Sequence, residues 1–273
     1  MIKLVTIDLD GTLLANNKSI PEKNIQVIKE AKKVGCKIVI ATGRPYEGVK
    51  RILKTLNLLS NDDYVILYNG AKIINAKTKE VIYSSTIKGK DCKDLLKESY
   101  NLGTYIHAFY TSEKLIANTF NAYSDIEAAI NKTKLHLFDF NKIDDNDDFI
   151  KCMLVAEGQN IDYAIKHINP YFKDSFSMVR SSVIFLEFLK KGTDKGNALI
   201  ALKNYLGLKD DETMAIGDAG NDLGMIKKAH IGVAVKNAFP EVIKASNYIT
   251  NSTNNEGAVA EAINKFVLKK GLN

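Results

Sequence analysis

Short apolar runs alternate with segments of helical spacing in the first and last thirds of the chain. The runs are rich in β-branched residues and predict strands buried on both faces. They lie at residues 4–9, 37–41, 65–68, 213–217 and 231–235. Amphipathic segments between them, such as the one from Pro21 to Gly35, predict helices. Strands and helices that alternate at this spacing form right-handed parallel α/β units, so we expect both thirds to build one sheet.

The middle of the chain changes character at about Ser85. Here the strand-like stretches have one apolar face, which is typical of a half-exposed antiparallel sheet. The predicted strands are residues 104–110, 151–156, 176–180 and 183–188, and the predicted helices are residues 91–102, 123–131 and 160–172. We interpret residues 85–186 as an inserted α+β domain, and residues 1–84 and 187–273 as the domain that it interrupts.

The amino-acid composition makes several classes of protein improbable. The 273 residues are 45% hydrophobic and 26% charged, which is ordinary for a globular protein. No apolar run approaches the length of a membrane span, and the first residues lead directly into a strand, so we expect a cytoplasmic protein without membrane contact. Cys36, Cys92 and Cys152 are widely spaced, which fits reduced, buried thiols. The net charge of +6 is carried by lysines scattered along predicted helices, so nucleic acid is not an expected partner.

The first strand ends in two acids, Asp8 and Asp10, one residue apart. Because side chains alternate along a strand, the two carboxylates can face the same way while Leu9 turns into the core. An Asp-Gly turn that closes a hairpin is the alternative, but no alternating strand follows Thr12 closely. The carboxyl ends of parallel strands are where open α/β sheets place their chemistry, and paired acids there need a cation.

Polar residues also follow other predicted strands or begin a helix. They are Thr42, Gly43, Lys195, Asp218, Asn221 and Asp222. Taken singly, each has an ordinary explanation as a helix cap, a surface lysine or an Asx turn. Together they offer oxygen ligands for a hard cation such as Mg²⁺. They also offer a hydroxyl, a backbone N–H, an ammonium and an amide, which are the donors that a phosphoryl group requires.

These residues resemble the four motifs of the haloacid dehalogenase superfamily. The matching stretches are residues 8–12, residues 41–44, Lys195 and residues 217–222. Their order, with Asn69-Gly70-Ala71 and a large insert after the third strand, is similar to that of the Cof-type phosphatases with a C2B cap. The resemblance implies an α/β fold class, with a Rossmann-like parallel-sheet core and an inserted α+β cap domain.

The resemblance also implies a role for each matching residue. Asp8 would be the nucleophile that forms an aspartyl-phosphate, and Asp10 would be the general acid and base. Asp8, Asp218 and the backbone carbonyl of Asp10 would hold Mg²⁺. Asp222 would orient Lys195 or a water on the metal. The phosphoryl group would be held by Leu9, Thr42, Gly43, Lys195 and Asn221.

The cap is expected to control which substrate reaches the site. It would move about linkers near residues 84–85 and 188–192, which would exclude water when it closes. Arg44 would brace its loop or face this cap. The candidate contacts to the leaving group are His107, Tyr110, Arg180 and Ser181, although such residues more often have a purely structural role.

The expected function is the Mg²⁺-dependent hydrolysis of a small phosphorylated metabolite, with a sugar phosphate as the first candidate. A phosphorylated cofactor such as pyridoxal phosphate or flavin mononucleotide is an alternative substrate, and a phosphomutase is an alternative enzyme. A non-catalytic phospho-aspartate signalling module belongs to a different class, but it would need neither Asp10 nor a large insert. We expect a monomer or a weak homodimer.

Overall fold

The computed structural model describes residues 1–270, so residues 271–273 of the predicted domain 187–273 lie outside the described residues. Its strands are β1 Leu4–Asp8, β2 Lys37–Ala41, β3 Tyr64–Leu67, β4 Lys72–Asn75, β5 Val81–Ser84, β6 Ile87–Lys88, β7 Tyr105–Tyr110, β8 Leu115–Ala117, β9 Leu135–Leu137, β10 Asp148–Val155, β11 Phe176–Ser182, β12 Phe185–Lys190, β13 Thr213–Gly217, β14 Ile231–Ala234 and β15 Tyr248–Ile249. Its α-helices are α1 Glu22–Lys33, α2 Tyr46–Thr55, α3 Gly89–Asn101, α4 Ala122–Asn131, α5 Gly158–His167, α6 Pro170–Ser175, α7 Lys195–Tyr205, α8 Leu223–Lys228, α9 Pro240–Ala245 and α10 Ala258–Ile263.

The chain divides into two compact units. The first contains Met1–Thr42, Lys50–Tyr83 and the residues from Asp194 onward, and the second contains Gly43–Val49 and Ser84–Thr193. The second unit extends beyond the predicted end at residue 186, because β12 pairs with β10 and β11. The predicted linker at residues 188–192 is therefore partly strand.

One sheet organises the first unit. Within residues 1–270 it has eight strands in the order β15-β14-β13-β1-β2-β3-β4-β5. From β15 to β3 each strand is parallel to its neighbour, whereas β4 runs antiparallel to β3. Leu4 of β1 lies opposite Thr213 of β13 and Lys37 of β2, so the first and last thirds of the chain meet at the centre of the sheet. The predicted parallel sheet is confirmed, and its strands end at a shared edge.

Helix α7 begins at this edge, and its start is fixed by a side-chain cap. The Asp194 carboxylate accepts a hydrogen bond of 2.7 Å from the backbone N–H of Asn197. An acid at this position satisfies a backbone donor that the helix cannot pair internally. The cap makes Lys195 the first residue of α7, and its side chain is fully buried.

The second unit contains a mostly antiparallel sheet. Within the described part of the chain it has seven strands, in the order β11-β12-β10-β7-β8-β9, and β6 also pairs with β10. Strands β8 and β9 are parallel to each other. Strands β6, β8 and β9 are not among the predicted strands, because strands of two or three residues are too short to show alternation. The strand predicted at residues 183–188 corresponds to β12, which begins at Phe185.

The helix predicted at residues 160–172 was wrong, because the structure has two helices there. Helix α5 ends at His167, and Pro170 occupies the first turn of α6. Proline has no backbone N–H and is therefore favoured where a helix begins. The Asn169 side chain caps α6 by accepting a hydrogen bond of 2.9 Å from the Tyr171 N–H.

Two further expectations concern the cysteines and the membrane. Cys36, Cys92 and Cys152 are all buried and free, as their spacing predicted. Burial raises the pKa of the Cys36 thiol to about 12, so this sulfur is held as an unreactive thiol. Within residues 1–270, no helix combines the length and the apolar composition needed to cross a membrane.

The sheet of the second unit buries a group of charges on one face. Cys152 and Leu154 of β10 belong to the apolar core, and alternation places Lys151 on the opposite face. The Lys151 ammonium lies 3.0 Å from the Glu187 carboxylate on β12 and 3.4 Å from the Glu127 carboxylate on α4. Burial lowers the pKa of Lys151, but the two carboxylates outweigh burial and raise it above its usual value. Lys151 therefore stays charged and holds α4 to the sheet.

We expect Lys151→Met to destabilise the protein by about 3–5 kcal/mol, because Glu127 and Glu187 would lose the buried cation that they share. Urea unfolding measures the change. The control is the triple variant Lys151→Met, Glu127→Gln, Glu187→Gln, which buries none of these charges and should recover most of the lost stability. Equal stability of Lys151→Met and the wild type would contradict the role given to this lysine.

Candidate active site

The carboxyl end of β1 carries Asp8, whose side chain is almost fully buried. The backbone turns sharply after it: the Leu13 N–H donates to the Asp8 carbonyl at 3.2 Å, and the Leu14 N–H donates to the Leu9 carbonyl at 2.9 Å. The Leu9 side chain is completely buried, as the alternation predicted. The Asp10 carboxylate is partly exposed and lies 2.9 Å from the Lys18 ammonium. The two acids of this strand end therefore have different environments.

Lys195 links Asp8 to an acid from a distant part of the chain. Its ammonium donates to the Asp8 carboxylate at 2.5 Å and to the Asp222 carboxylate at 2.7 Å. Burial lowers the pKa of Lys195, but Asp222 and Asp8 together outweigh burial and raise it above its usual value. A permanent buried cation therefore lies at the carboxyl ends of β1 and β13.

Asp222 is fully engaged in holding Lys195 and the turn after β13. One of its carboxylate oxygens accepts from Lys195, and the other accepts from the backbone N–H groups of Asp218 and Ala219, both at 3.0 Å. A carboxylate with three donors is held in a fixed orientation. This geometry suits the supporting role predicted for Asp222 better than a role as a metal ligand.

Asp218 is held against the turn that follows Asp10. The Thr12 hydroxyl donates to its carboxylate at 2.7 Å. A Cβ on Gly11 would lie 2.4 Å from the other Asp218 oxygen, and the φ of Gly11 is +91°. Only glycine fits so close an approach with this backbone conformation. The Asp-Gly-Thr sequence is therefore explained by contact with Asp218 rather than by a hairpin.

These acids form a site with excess negative charge. Asp8, Asp218 and Asp222 each present an oxygen within 4.8 Å of the others. Three carboxylates against the ammonium of Lys195 leave a formal excess of two negative charges. Burial raises the pKa of Asp8 well above its usual value, and Asp222 and Asp218 add to the shift. Burial also raises the pKa of Asp218. Hard oxygen donors with this charge excess fit a divalent cation held by Asp8 and Asp218.

Thr42 and Asn221 reach the same sheet edge and are joined through Asn69. The Thr42 N–H donates to the Ile66 carbonyl at 3.0 Å, and its own carbonyl accepts from the Asn69 N–H at 2.9 Å. The side-chain amide of Asn221 donates to the Asn69 side-chain oxygen at 3.0 Å. The structure thus brings Asp8, Lys195, Asp218, Asp222, Thr42 and Asn221 to one edge of the first unit.

Gly43 and Arg44 begin the segment Gly43–Val49, which groups with the second unit. The Arg44 guanidinium donates to the Gly48 carbonyl at 3.4 Å, across the start of α2. This contact would suit a loop-bracing role, and the choice between that role and one facing the cap stays a prediction. The phosphoryl contacts of Gly43 and of the Leu9 backbone stay predictions.

His107 is a core residue of the second unit rather than a free contact for a leaving group. One ring nitrogen lies 2.9 Å from the Ser124 hydroxyl, and the other lies 3.0 Å from the Met153 sulfur. Burial, reinforced by the nearby Lys151, lowers the pKa of His107 to about 3, so the ring is neutral. Both ring nitrogens are already engaged inside the unit.

Of the other three candidate cap residues, Tyr110 is half-buried and packs against the Phe149 ring, whereas Arg180 and Ser181 are exposed. The Tyr110 hydroxyl donates to the Asp147 carboxylate at 3.3 Å, and Arg180 forms an ion pair with Asp162. For these three residues, a contact to the leaving group stays a prediction from the sequence.

Two residues that shape the site, Asn237 and Asn69, have no role among the predictions made from the sequence. Asn237 donates from its side-chain amide to the Gly11 carbonyl at 2.8 Å, and its own oxygen accepts from the Asn254 N–H at 2.8 Å. Asn237 and Gly11 are 226 positions apart, so no local pattern could link them. Asn69 did carry a local signal, because an Asn-Gly pair after a buried strand indicates an unusual turn.

Known proteins resemble this chain over almost its whole length. A family model for haloacid dehalogenase-like hydrolases matches residues 5–263. The Bacillus subtilis (strain 168) protein "Putative phosphatase YxeH" is 40% identical over 274 residues, which cover 99% of this chain and 100% of that protein. The crystal structure of a haloacid dehalogenase-like hydrolase from Bacteroides thetaiotaomicron matches with a TM-score of 0.84 and 30% identity, over 97% of this chain and 99% of that one. A sugar phosphatase of HAD subclass IIB matches with a TM-score of 0.80 and 26% identity, over 97% of this chain and 98% of that one.

We expect Asp218→Asn to raise the melting temperature of the EDTA-treated protein by about 2–4 °C, which corresponds to roughly 1 kcal/mol. The substitution removes one of the excess buried charges and keeps the shape of the side chain. Adding MgCl₂ should then stabilise the variant less than the wild type, because a ligand is lost. Calorimetry measures both shifts, and Asp211→Asn, at an exposed acid, is the matched control. A lower melting temperature in EDTA would refute the charge excess.

Proposed function

The chain belongs to the haloacid dehalogenase-like hydrolases, and we propose that it is a Mg²⁺-dependent phosphatase that acts through an aspartyl-phosphate on Asp8. The observation that carries this proposal is the placement of Lys195 between Asp8 and Asp222, with Asp218 beside them. A nucleophile, a buried cation and a pair of candidate metal ligands are thereby assembled at one sheet edge. Phosphoryl transfer needs little more than such positioning and charge compensation.

Mg²⁺ is the proposed cofactor because the acids offer hard oxygen ligands and an excess of two negative charges. Asp8 and Asp218 would hold the ion through their carboxylates, together with the backbone carbonyl of Asp10. Once bound, it would cancel the repulsion between the Asp8 carboxylate and the negative phosphoryl oxygens.

The proposed reaction has two steps that share the two acids of the first strand. In the first, an oxygen of Asp8 attacks phosphorus in line with the ester oxygen, which leaves with a proton from Asp10. In the second, water attacks the phosphorus of the aspartyl-phosphate and gives its proton to Asp10. The bond to Asp8 then breaks, and inorganic phosphate leaves.

Donors on the remaining motifs would hold the phosphoryl oxygens during both steps. Lys195 supplies an ammonium, Thr42 a hydroxyl and Asn221 a side-chain amide. The Lys195 ammonium is already oriented by Asp222, so little reorganisation is required when the phosphoryl group arrives.

A sugar phosphate is the proposed substrate class. Its support is the likeness to a solved structure described as a sugar phosphatase, at 26% identity. A phosphate-release screen that includes sugar phosphates, pyridoxal phosphate and flavin mononucleotide separates this proposal from a cofactor phosphatase. Transfer of ³²P to a second hydroxyl rather than to water would indicate a phosphomutase.

We expect the wild type to hydrolyse p-nitrophenyl phosphate in Mg²⁺ and to lose this activity in EDTA. Asp8→Asn should lower kcat by at least about 10³-fold, because an amide oxygen is not a comparable nucleophile. The fold should persist, since the substitution removes a buried charge from an acid-rich site. The p-nitrophenol absorbance measures turnover, and circular dichroism checks the fold. A folded Asp8→Asn variant with near-normal turnover would eliminate Asp8 as the nucleophile.

Asp10→Asn should separate the two steps. Because p-nitrophenolate leaves without protonation, the first step should stay fast, whereas hydrolysis of the aspartyl-phosphate should slow by about 10²–10⁴-fold. Stopped-flow absorbance should therefore show a burst of p-nitrophenol close to one equivalent of enzyme. Alkyl phosphates, which need the acid in the first step, should give no burst of alcohol. The absence of a p-nitrophenol burst in a slow variant would argue against the base role of Asp10.

A further inference from the structure

The chain makes a left-handed turn directly after β3. Tyr68, Asn69 and Gly70 have φ angles of +52°, +55° and +99°. Residues other than glycine and asparagine seldom adopt this conformation, because Cβ comes too close to the following carbonyl oxygen. Such a conformation persists only where surrounding contacts determine it, and it is concentrated at functional sites. The contacts that surround this turn therefore indicate its role.

The backbone of the turn is tied to the end of β2. The Asn69 N–H donates to the Thr42 carbonyl at 2.9 Å, and the Ala71 N–H closes the turn on the Tyr68 carbonyl at 3.1 Å. Thr42 is the residue whose hydroxyl is proposed to contact the phosphoryl group. The turn thus fixes the backbone at the point where that hydroxyl leaves the sheet.

The Asn69 side chain contacts a second phosphoryl donor. Its oxygen accepts a hydrogen bond of 3.0 Å from the side-chain amide of Asn221, which lies 152 positions further along the chain. Asn69 is buried and Asn221 is half-buried, so the contact lies at the inner edge of the site. The acceptor uses one N–H of the Asn221 amide and sets the plane of that amide.

The third residue of the turn packs against the start of α7. A Cβ on Gly70 would lie 2.3 Å from the Asp194 carbonyl oxygen and 3.0 Å from the Lys195 nitrogen. Only glycine, which has no Cβ, can approach the Asp194 backbone this closely. One turn of backbone therefore touches the elements that carry Thr42, Lys195 and Asn221.

We propose that Asn69 is a positioning residue for phosphate binding: it orients the Asn221 amide and couples it to the Thr42 backbone. This inference rests on the proposed function, because it takes Asn221 as a phosphoryl donor. Asn69 acts through Asn221, and the left-handed turn holds its side chain in the required place. An asparagine suits this position because it tolerates the left-handed backbone and also carries an acceptor oxygen.

Asn69→Gly removes the acceptor and leaves the turn intact, because glycine adopts a positive φ without strain. The dissociation constant of inorganic phosphate in Mg²⁺, measured by calorimetry, should rise about fivefold to tenfold. The KM for p-nitrophenyl phosphate should rise by a similar factor while kcat changes less than about twofold, since ground state and transition state lose the same contact. A merely structural defect would lower kcat through the active fraction and leave the dissociation constant unchanged.

Asn57→Gly is the matched control. Asn57 also has a left-handed backbone, with φ of +55°, but its side chain is exposed. The same substitution there should change neither phosphate binding nor KM. If both variants weaken phosphate binding equally, the effect belongs to the backbone, and the proposal for the Asn69 side chain is overturned.

A double-mutant cycle with Asn221→Ala decides whether Asn69 acts through Asn221. In the Asn221→Ala background, Asn69→Gly should weaken phosphate binding by less than about twofold. The same loss in both backgrounds, or no loss in either, would overturn the proposal. If Asn69→Gly does not fold, Asn69→Ala replaces it, because alanine also lacks the acceptor oxygen and any backbone effect common to both backgrounds cancels in the cycle.

The two hypotheses fail in different ways. Wild-type protein that binds phosphate but does not turn over p-nitrophenyl phosphate would refute the proposed hydrolysis, while the phosphate-binding cycle would still test Asn69. Wild-type protein that does not bind phosphate at all would overturn both.

Discussion

The buried ammonium of Lys195 is the interaction on which the candidate active site depends. It lies between Asp8 and Asp222, which come from opposite ends of the chain, and Asp218 stands beside them. Without this cation the first unit would bury mutually repelling carboxylates, which is strongly destabilising. Lys195 is itself placed by the Asp194 cap at the start of α7. The position of one helix end thus determines whether the acids can share the sheet edge.

Both units bury more carboxylates than ammonium groups at these sites, and the excess is larger in the first unit. In the second unit one lysine, Lys151, meets the carboxylates of Glu127 and Glu187, and the contacts join α4 to the sheet. In the first unit one lysine faces three acids, and burial raises the pKa of Asp8 as it raises that of Glu127 in the second unit. The remaining excess costs stability, and it is the reason why a divalent cation is proposed at this site. Functional sites commonly retain such destabilising arrangements because activity requires them.

The turns at the sheet edge shape the site together with the acids, because hydrogen bonds and close contacts hold each turn in place. Gly11 allows the chain to pass close to Asp218, and Asn237 fixes the Gly11 carbonyl from the loop after β14. The left-handed turn at Asn69 likewise holds the Thr42 carbonyl and the Asn221 side-chain amide through hydrogen bonds. Parallel strands bring these turns to one edge, but the hydrogen bonds between turns set the distances within the site.

Local patterns in the sequence were enough to predict most strands of the parallel sheet and the sheet edge at which the polar residues collect. Strand periodicity depends on neighbours within a few residues, so it located β1, β2, β3 and β13 and predicted that Leu9 turns inward. Pro170 was also a local signal, and the predicted helix at 160–172 ignored it. Contacts between distant parts of the chain, by contrast, enclose His107 between Ser124 and Met153, bring Lys195 to Asp222, and join Thr42 to Asn221 through Asn69. The donors and acceptors of these hydrogen bonds are 17 to 152 positions apart in the sequence. Tertiary packing brings them together, so a local sequence pattern cannot predict which of them pair.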